Sequence, residues 1–211
     1  LSLRMAKENE AVRRFKLRAR TYGAIGSAPC FAEVKAKLED TIVKTRATIP
    51  FAVWSEDLVF GVKLPNRFKN PRQEIDFLQF RRLVWETQCR PQLLVRYVRE
   101  SHVGVVDRYA RITFDRHLQY QVTDSWTDFG RSGTWRGMDS AEAQGFGLPF
   151  SGVVLEVKAL SYTPVWMMDM VERFELQKRG NCKYSTAVWR EGFFTGHPGT
   201  NAETEEALAL V

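Results

Sequence analysis

Residues 14–20 read Arg-Phe-Lys-Leu-Arg-Ala-Arg, a strict alternation of charged and apolar positions. In an extended strand successive side chains point to opposite faces, so Arg14, Lys16, Arg18 and Arg20 share one face and Phe15, Leu17 and Ala19 the other. Period-2 patterning predicts strands over 12–22, 30–37, 42–49, 93–100, 107–115 and 152–160. The Gly-, Ala- and Ser-rich stretch from Gly23 to Pro29 predicts a hairpin loop between the first two, and Glu39-Asp40 the next turn. Two helices are expected. Asn70-Pro71 supplies an N-cap followed by proline at the first helical position; Ile75, Leu78, Arg82 and Trp85 then keep helical spacing, and Cys89-Arg90-Pro91 ends the run. Thr163-Pro164 repeats the start signal. Trp166, Met167, Met170, Val171 and Phe174 form an apolar stripe, with Gly180 as the stop. Residues 123–150 read as a long loop or irregular hairpin, and 195–211 as a tail with a short helix near its end. Strands joined by turns rather than by helical crossovers predict an antiparallel α+β fold over a doubly wound one.

The charge on these strands is mostly of one sign. Glu33, Lys35 and Lys37 oppose Ala32, Val34 and Ala36; Lys44 and Arg46 oppose Val43 and Ala47. Arg111, Thr113 and Asp115 oppose Ala110, Ile112 and Phe114; Glu156 and Lys158 oppose Val153, Leu155 and Val157; the 93–100 strand adds Arg99, with Tyr97 on its face. These faces hold eleven cations against three carboxylates, Glu33, Asp115 and Glu156. One wet strand face is ordinary in an antiparallel sheet. Several that share one sign repel each other unless an anion sits among them. Arginine adds a planar fork of donors suited to phosphate oxygens. A sheet folded into a barrel with these faces inward would bind an extended anion strongly. A lone glutamate among cations suits a metal–nucleotide site, since hard divalent cations want oxygen ligands. Glu156 is read either in that role or as a salt-bridge partner, and Glu33 and Asp115 as structural partners.

Composition sharpens this. The 211 residues suffice for one domain with a sizeable core or two small ones. The net charge is +6, and the four glutamates after position 190, with no Lys or Arg among them, leave +10 on residues 1–190. The three cysteines are far apart without CxxC spacing and the three histidines are scattered, against a disulfide framework or a zinc site. A reducing, cytoplasmic setting is expected. No apolar run approaches the ~20 residues that span a bilayer, and no signal peptide is visible. There is no GxxxxGK[ST] loop, no GxGxxG after a strand, no GxSxG and no HExxH.

Seven strings occur in order: Arg-Arg-Phe-Lys-Leu-Arg-Ala-Arg-Thr-Tyr-Gly (13–23), Phe-Ala-Glu-Val-Lys (31–35), Val-Lys-Thr-Arg (43–46), Pro91 with Val-Arg-Tyr-Val-Arg (95–99), Ala-Arg-Ile-Thr-Phe-Asp (110–115), Val-Leu-Glu-Val-Lys (154–158) and Lys-Tyr-Ser (183–185). Together, over about residues 12–187, the chain resembles the VTC domain of polyphosphate polymerases, within the triphosphate tunnel (CYTH-like) superfamily. The resemblance implies an antiparallel β-barrel tunnel with flanking helices over residues 1–190, followed by a tail at 191–211. It implies transfer of the γ-phosphate of ATP onto a polyphosphate chain with Mn2+ or Mg2+. The family's phosphate-binding residues match Lys16, Arg18, Arg20, Lys35, Lys44, Arg46, Arg99, Arg111, Lys158 and Lys183, with Arg18, Arg20, Lys35, Arg99, Arg111 and Lys183 expected at the reacting phosphates. Its metal-binding glutamate matches Glu156. Lys183 matches a family lysine in a Ser-Lys-Tyr string, with Cys182 replacing the serine. Family members carry an upstream strand, helix and second strand that the sequence as given does not show, so the first tunnel strands are expected to be missing. ATP and polyphosphate are the expected partners, with no nucleic acid and no membrane segment. A triphosphatase on the same barrel and a non-catalytic polyphosphate sensor stay open. A nucleic-acid-binding barrel ranks last, because the basic faces carry few aromatics, mainly Tyr22, Tyr97 and Tyr109.

Overall fold

The structure is a computed structural model. It describes residues 13–38, 41–61, 68, 70–106, 108–138, 152–160, 162–178 and 182–191. The expected 39–40 turn, the Gly180 stop and the tail beyond 191 lie outside the described residues. Two compact units emerge, one of residues 1–91 with 124–131, the other of 92–123 with 132–211. The secondary structure is mixed α+β, with two antiparallel sheets among the described residues.

In the first unit β1 (Arg13–Arg20), β2 (Cys30–Leu38) and β3 (Thr41–Ile49) form a meander in the order β1-β2-β3. The 3₁₀ turn Phe51–Val53 and helix α1 (Glu56–Phe60) lead to helix α2 (Pro71–Thr87). Alternation sends Ala32, Val34, Ala47 and Ile49 to one face, where they bury against Phe77, Phe80 and Val84 of α2 and against Trp54, Leu58 and Val59. Removing that much apolar surface from water is the main term holding the unit together. Residues 124–131 belong here too, although sequence makes them loop. Trp126 enters the core, its backbone carbonyl accepts from Trp54 Nε1 at 2.7 Å, and Glu56 accepts from Trp126 N at 2.7 Å and Ser125 Oγ at 2.9 Å.

Helix α2 starts where expected. Asn70 Oδ1 accepts from Gln73 N at 3.0 Å and Pro71 occupies the first turn. Its buried stripe, however, is Phe77, Phe80 and Val84, while Ile75, Leu78 and Trp85 are exposed. The helix carries two apolar stripes. The one with two phenylalanines and no arginine offers more apolar area to the sheet, and it wins. Gln88 closes the helix at φ 48°, with Cys89 N donating to Val84 O at 3.3 Å, a Schellman closure without glycine.

In the second unit β5 (Arg111–Val122) is central, pairing with β4 (Leu93–Val103) along one edge and with β6 (Arg136–Gly137) and β7 (Val153–Lys158) along the other. The sequence places this central strand at 107–115. It starts four residues later and ends seven later, because a bulge splits its alternation. Arg96 pairs with Gln119 but Val98 with Arg116, so His117 and Leu118 oppose Tyr97 alone, and His117 adopts φ 52°. Before the bulge Thr113 and Asp115 are buried; after it Leu118 and Tyr120 are. Period-2 reading fails across such a point.

Helix α3 (Val165–Arg173) begins after Pro164 but stops well short of Gly180. Glu175 at φ 46° closes it, with Leu176 N donating to Val171 O at 2.9 Å. Of the expected stripe only Met167 is fully buried; Trp166, Val171 and Phe174 are exposed. Helix α4 (Lys183–Arg190) is absent from the sequence prediction. Its Ala187 and Val188 bury against Leu93, Leu118, Tyr120 and Met138. Among the described residues no helix is long and apolar enough to cross a membrane.

Candidate functional site

Each unit carries a charged array, and each is described by itself. On the first sheet the register sets the array in rows. Lys16, Lys35 and Lys44 lie opposite one another across β1, β2 and β3, and so do Arg18, Glu33 and Arg46 in the next row. Glu33 is the hub. Its Oε1 meets Arg46 Nε at 2.6 Å and Arg20 Nη2 at 2.8 Å, and its Oε2 meets Arg18 Nε. The Glu33 side chain is only 8% exposed, whereas Arg18 and Arg46 are 63% and 50% exposed. Glu33 meets both through Nε. Burial is the largest influence on Arg20 and lowers its pKa; Glu33 raises it, and neighbouring Arg18 and Arg46 lower it further. Among the described side chains seven cations, Lys16, Arg18, Arg20, Lys35, Lys37, Lys44 and Arg46, thus share one sheet face with one carboxylate, Glu33, and three lysines stand directly across strands from each other. Like charges so placed destabilise a sheet.

In the second unit the centre is Asp115, fully buried on β5. Arg99 grips it with both ends of its fork, Nε to Oδ1 at 2.6 Å and Nη2 to Oδ2 at 2.7 Å. Lys183 Nζ reaches Oδ2 at 2.8 Å. Helix α4 explains how. Lys183 lies one turn before Ala187, so burying Ala187 turns Lys183 toward the same sheet. Both cations also approach the Tyr97 ring, Lys183 at 5.1 Å and Arg99 at 5.3 Å from its centre. Burial pushes the Asp115 carboxyl upward, but hydrogen bonds and attraction from Arg99 and Lys183 outweigh it and hold the group below its ordinary value. The hydrogen bond to Asp115 likewise raises Arg99.

Glu156 stands beside this cluster on β7, opposite Thr113. Its Oε1 takes Lys158 Nζ at 2.8 Å; its Oε2 has only longer approaches, 3.5 Å from Arg99 Nη2 and 3.5 Å from Thr113 Oγ1. Burial again raises its pKa and the attraction of Lys158, Arg99 and Lys183 overrides it, so the group sits below its usual range. Arg111 lies opposite Lys158 and is exposed, forming no ion pair with a carboxylate among the described residues.

Of the eleven residues expected from sequence, the structure joins Arg18, Arg20 and Arg46 through Glu33, and Arg99, Lys158 and Lys183 through Asp115 and Glu156. It sets Lys16, Lys35 and Lys44 in one row and leaves Arg111 at the margin. Glu33 as a three-arginine hub is the feature that sequence reasoning missed. The signal was the hairpin register, which alone decides that Glu33 falls between Arg18 and Arg46. Among the described residues no cluster of three or more His, Cys, Asp or Glu could hold a metal ion.

A family comparison fits this geometry. The VTC domain model matches residues 2–190, and the chain belongs to the VTC domain family. A comparison with curated proteins finds no match. Membership ties the chain to a polyphosphate-related function.

Proposed function

We propose that the chain is a phosphotransferase of the polyphosphate polymerase type, moving the γ-phosphate of ATP onto a polyphosphate chain. The observation that carries this reading is the Glu33-centred face, seven cations to one carboxylate among the described side chains, in a chain of the VTC domain family. Residues 1–190 act in this reading as one tunnel domain of the β-barrel type, with 191–211 a tail. Free cysteines at 30, 89 and 182 agree with a reducing cytoplasmic setting.

Phosphoryl transfer asks the protein for position and charge neutralisation more than for covalent chemistry. Arg18, Arg20 and Arg46, with the Lys16–Lys35–Lys44 row, hold phosphate oxygens along the first sheet. Arg99 and Lys183, fixed by Asp115, present a second rigid pair of donors. Lys158 and the marginal Arg111 extend it. An acceptor phosphate is already ionised, so no general base is needed.

In this reading a divalent cation, Mn2+ or Mg2+, would be held by Glu156, whose Oε2 is loosely held, with Thr113 Oγ1 adjacent. That suits a cation carried in on phosphate oxygens rather than one caged by protein. When bound, it would neutralise charge on the transferring and leaving phosphates.

The test is Glu156→Gln, followed by calorimetric ATP titration and by turnover against Mn2+ concentration. The reading expects lost turnover with ATP binding still measurable. Full turnover in the variant would remove Glu156 from the metal role.

A further inference from the structure

The charged face of the first sheet ends in two aromatic rings. Phe31 alternates with Glu33 and Lys35, so a large apolar ring stands on the face where the pattern otherwise places charge. It lies opposite Arg20, and Tyr22 follows two residues after Arg20. The two rings meet edge to face, 5.5 Å between centres and 69° between planes. Arg20 sits 5.0 Å from the centre of the Tyr22 ring and Arg46 sits 5.3 Å from that of Phe31. Those two arginines are also the ones joined at Glu33 Oε1. Neither ring belongs to the apolar core of the unit, and Tyr22 is 51% exposed.

An exposed tyrosine against a half-buried phenylalanine on a charged face gives nothing to a bare phosphate chain, which has no apolar surface. A nucleotide differs in having a planar base. Stacking of a base on an aromatic side chain is tolerant of base identity and contributes substantially to affinity. Guanidinium groups held beside the rings would meet the adjoining phosphates. We propose that Tyr22 and Phe31 form a nucleobase platform at one end of this phosphate-binding face, so that the array distinguishes a nucleoside triphosphate from inorganic triphosphate. This deepens the proposed function and rests on it: the donor end of the site is at the Tyr22 end of β1, and polyphosphate runs along the lysine row away from it.

The test compares ATP with inorganic tripolyphosphate by calorimetric titration of the unsubstituted chain, Tyr22→Leu, Phe31→Leu and Tyr22→Trp. The platform predicts about a tenfold loss of ATP affinity in each leucine variant. Tripolyphosphate affinity should change less than twofold, and tryptophan should retain ATP affinity. Equal losses for both ligands would mean that the rings only brace the arginines, and unchanged ATP affinity would mean that no base rests there; either overturns the platform. If the unsubstituted chain binds neither ligand, the phosphotransferase reading itself fails and the platform with it. Binding of both ligands with selective loss of ATP alone supports both.

Discussion

Glu33→Gln is the most informative single change. It keeps the shape of the hub and removes the one negative charge among Arg18, Arg20 and Arg46. Arg20 is the best covered of the three, 24% exposed, so its ion pair is the least screened and contributes about 1 kcal/mol. Arg18 and Arg46 are half exposed or more, so each pair contributes only about 0.2–1 kcal/mol. The sum is about 1.5–3 kcal/mol; the glutamine carbonyl still accepts on one side, but its NH2 meets a guanidinium on the other and the charge is gone, so little of it is recovered. Urea unfolding followed by tryptophan fluorescence reads this loss, because Trp54 and Trp126 both lie in the core of the same unit. The second half of the prediction concerns anions. With the carboxylate gone, three guanidiniums face each other uncompensated, and tripolyphosphate should take its place. An anion at a hundred times its dissociation constant adds about 2.7 kcal/mol to stability. Millimolar tripolyphosphate should therefore stabilise the variant more than the unsubstituted chain. A loss below about 1 kcal/mol, or the same anion dependence in both proteins, would refute the claim that Glu33 holds a strained cation cluster.

Two further outcomes follow from the same geometry. Arg18→Ala or Arg46→Ala should weaken tripolyphosphate binding and make its decline with added salt shallower, since fewer charge contacts are being screened; titrations at several ionic strengths read both effects. Asp115 has a folded pKa below its ordinary 3.8, so the stability it contributes is present above that value and lost as pH falls through the depressed one. Asp115→Asn, which leaves Arg99 and Lys183 without their buried partner, should cost about 3–5 kcal/mol at pH 7 and flatten the acid limb of the stability curve; unfolding midpoints from pH 3 to 7 test this.

The strands of the first unit were legible because each alternates without interruption and the apolar face of β2 and β3 packs against α2. The antiparallel α+β class and the start of α2 were legible for the same local reasons, a period and a cap. The length of β5 was not, because the bulge at His117 and Leu118 shifts the alternation midway. The end of α2 before Cys89-Arg90-Pro91 was legible, but the end of α3 was not, because Glu175 takes the left-handed conformation that sequence reading reserves for glycine. Helix α4 was hidden in eight residues rich in Ser, Thr and Val, and only its tertiary contact with Leu93 and Tyr120 makes it a helix. The cationic residues of the site were visible as types on faces. Their grouping around Glu33 and Asp115 was not, since it depends on the register between strands distant in sequence.

Whether the chain makes polyphosphate from ATP is read by incubating it with ATP and Mn2+ and resolving the products on a polyacrylamide gel stained for polyphosphate. The expected result is a ladder of lengthening chains that disappears in Glu156→Gln. Free phosphate with no ladder, or polyphosphate binding with no product, would contradict it.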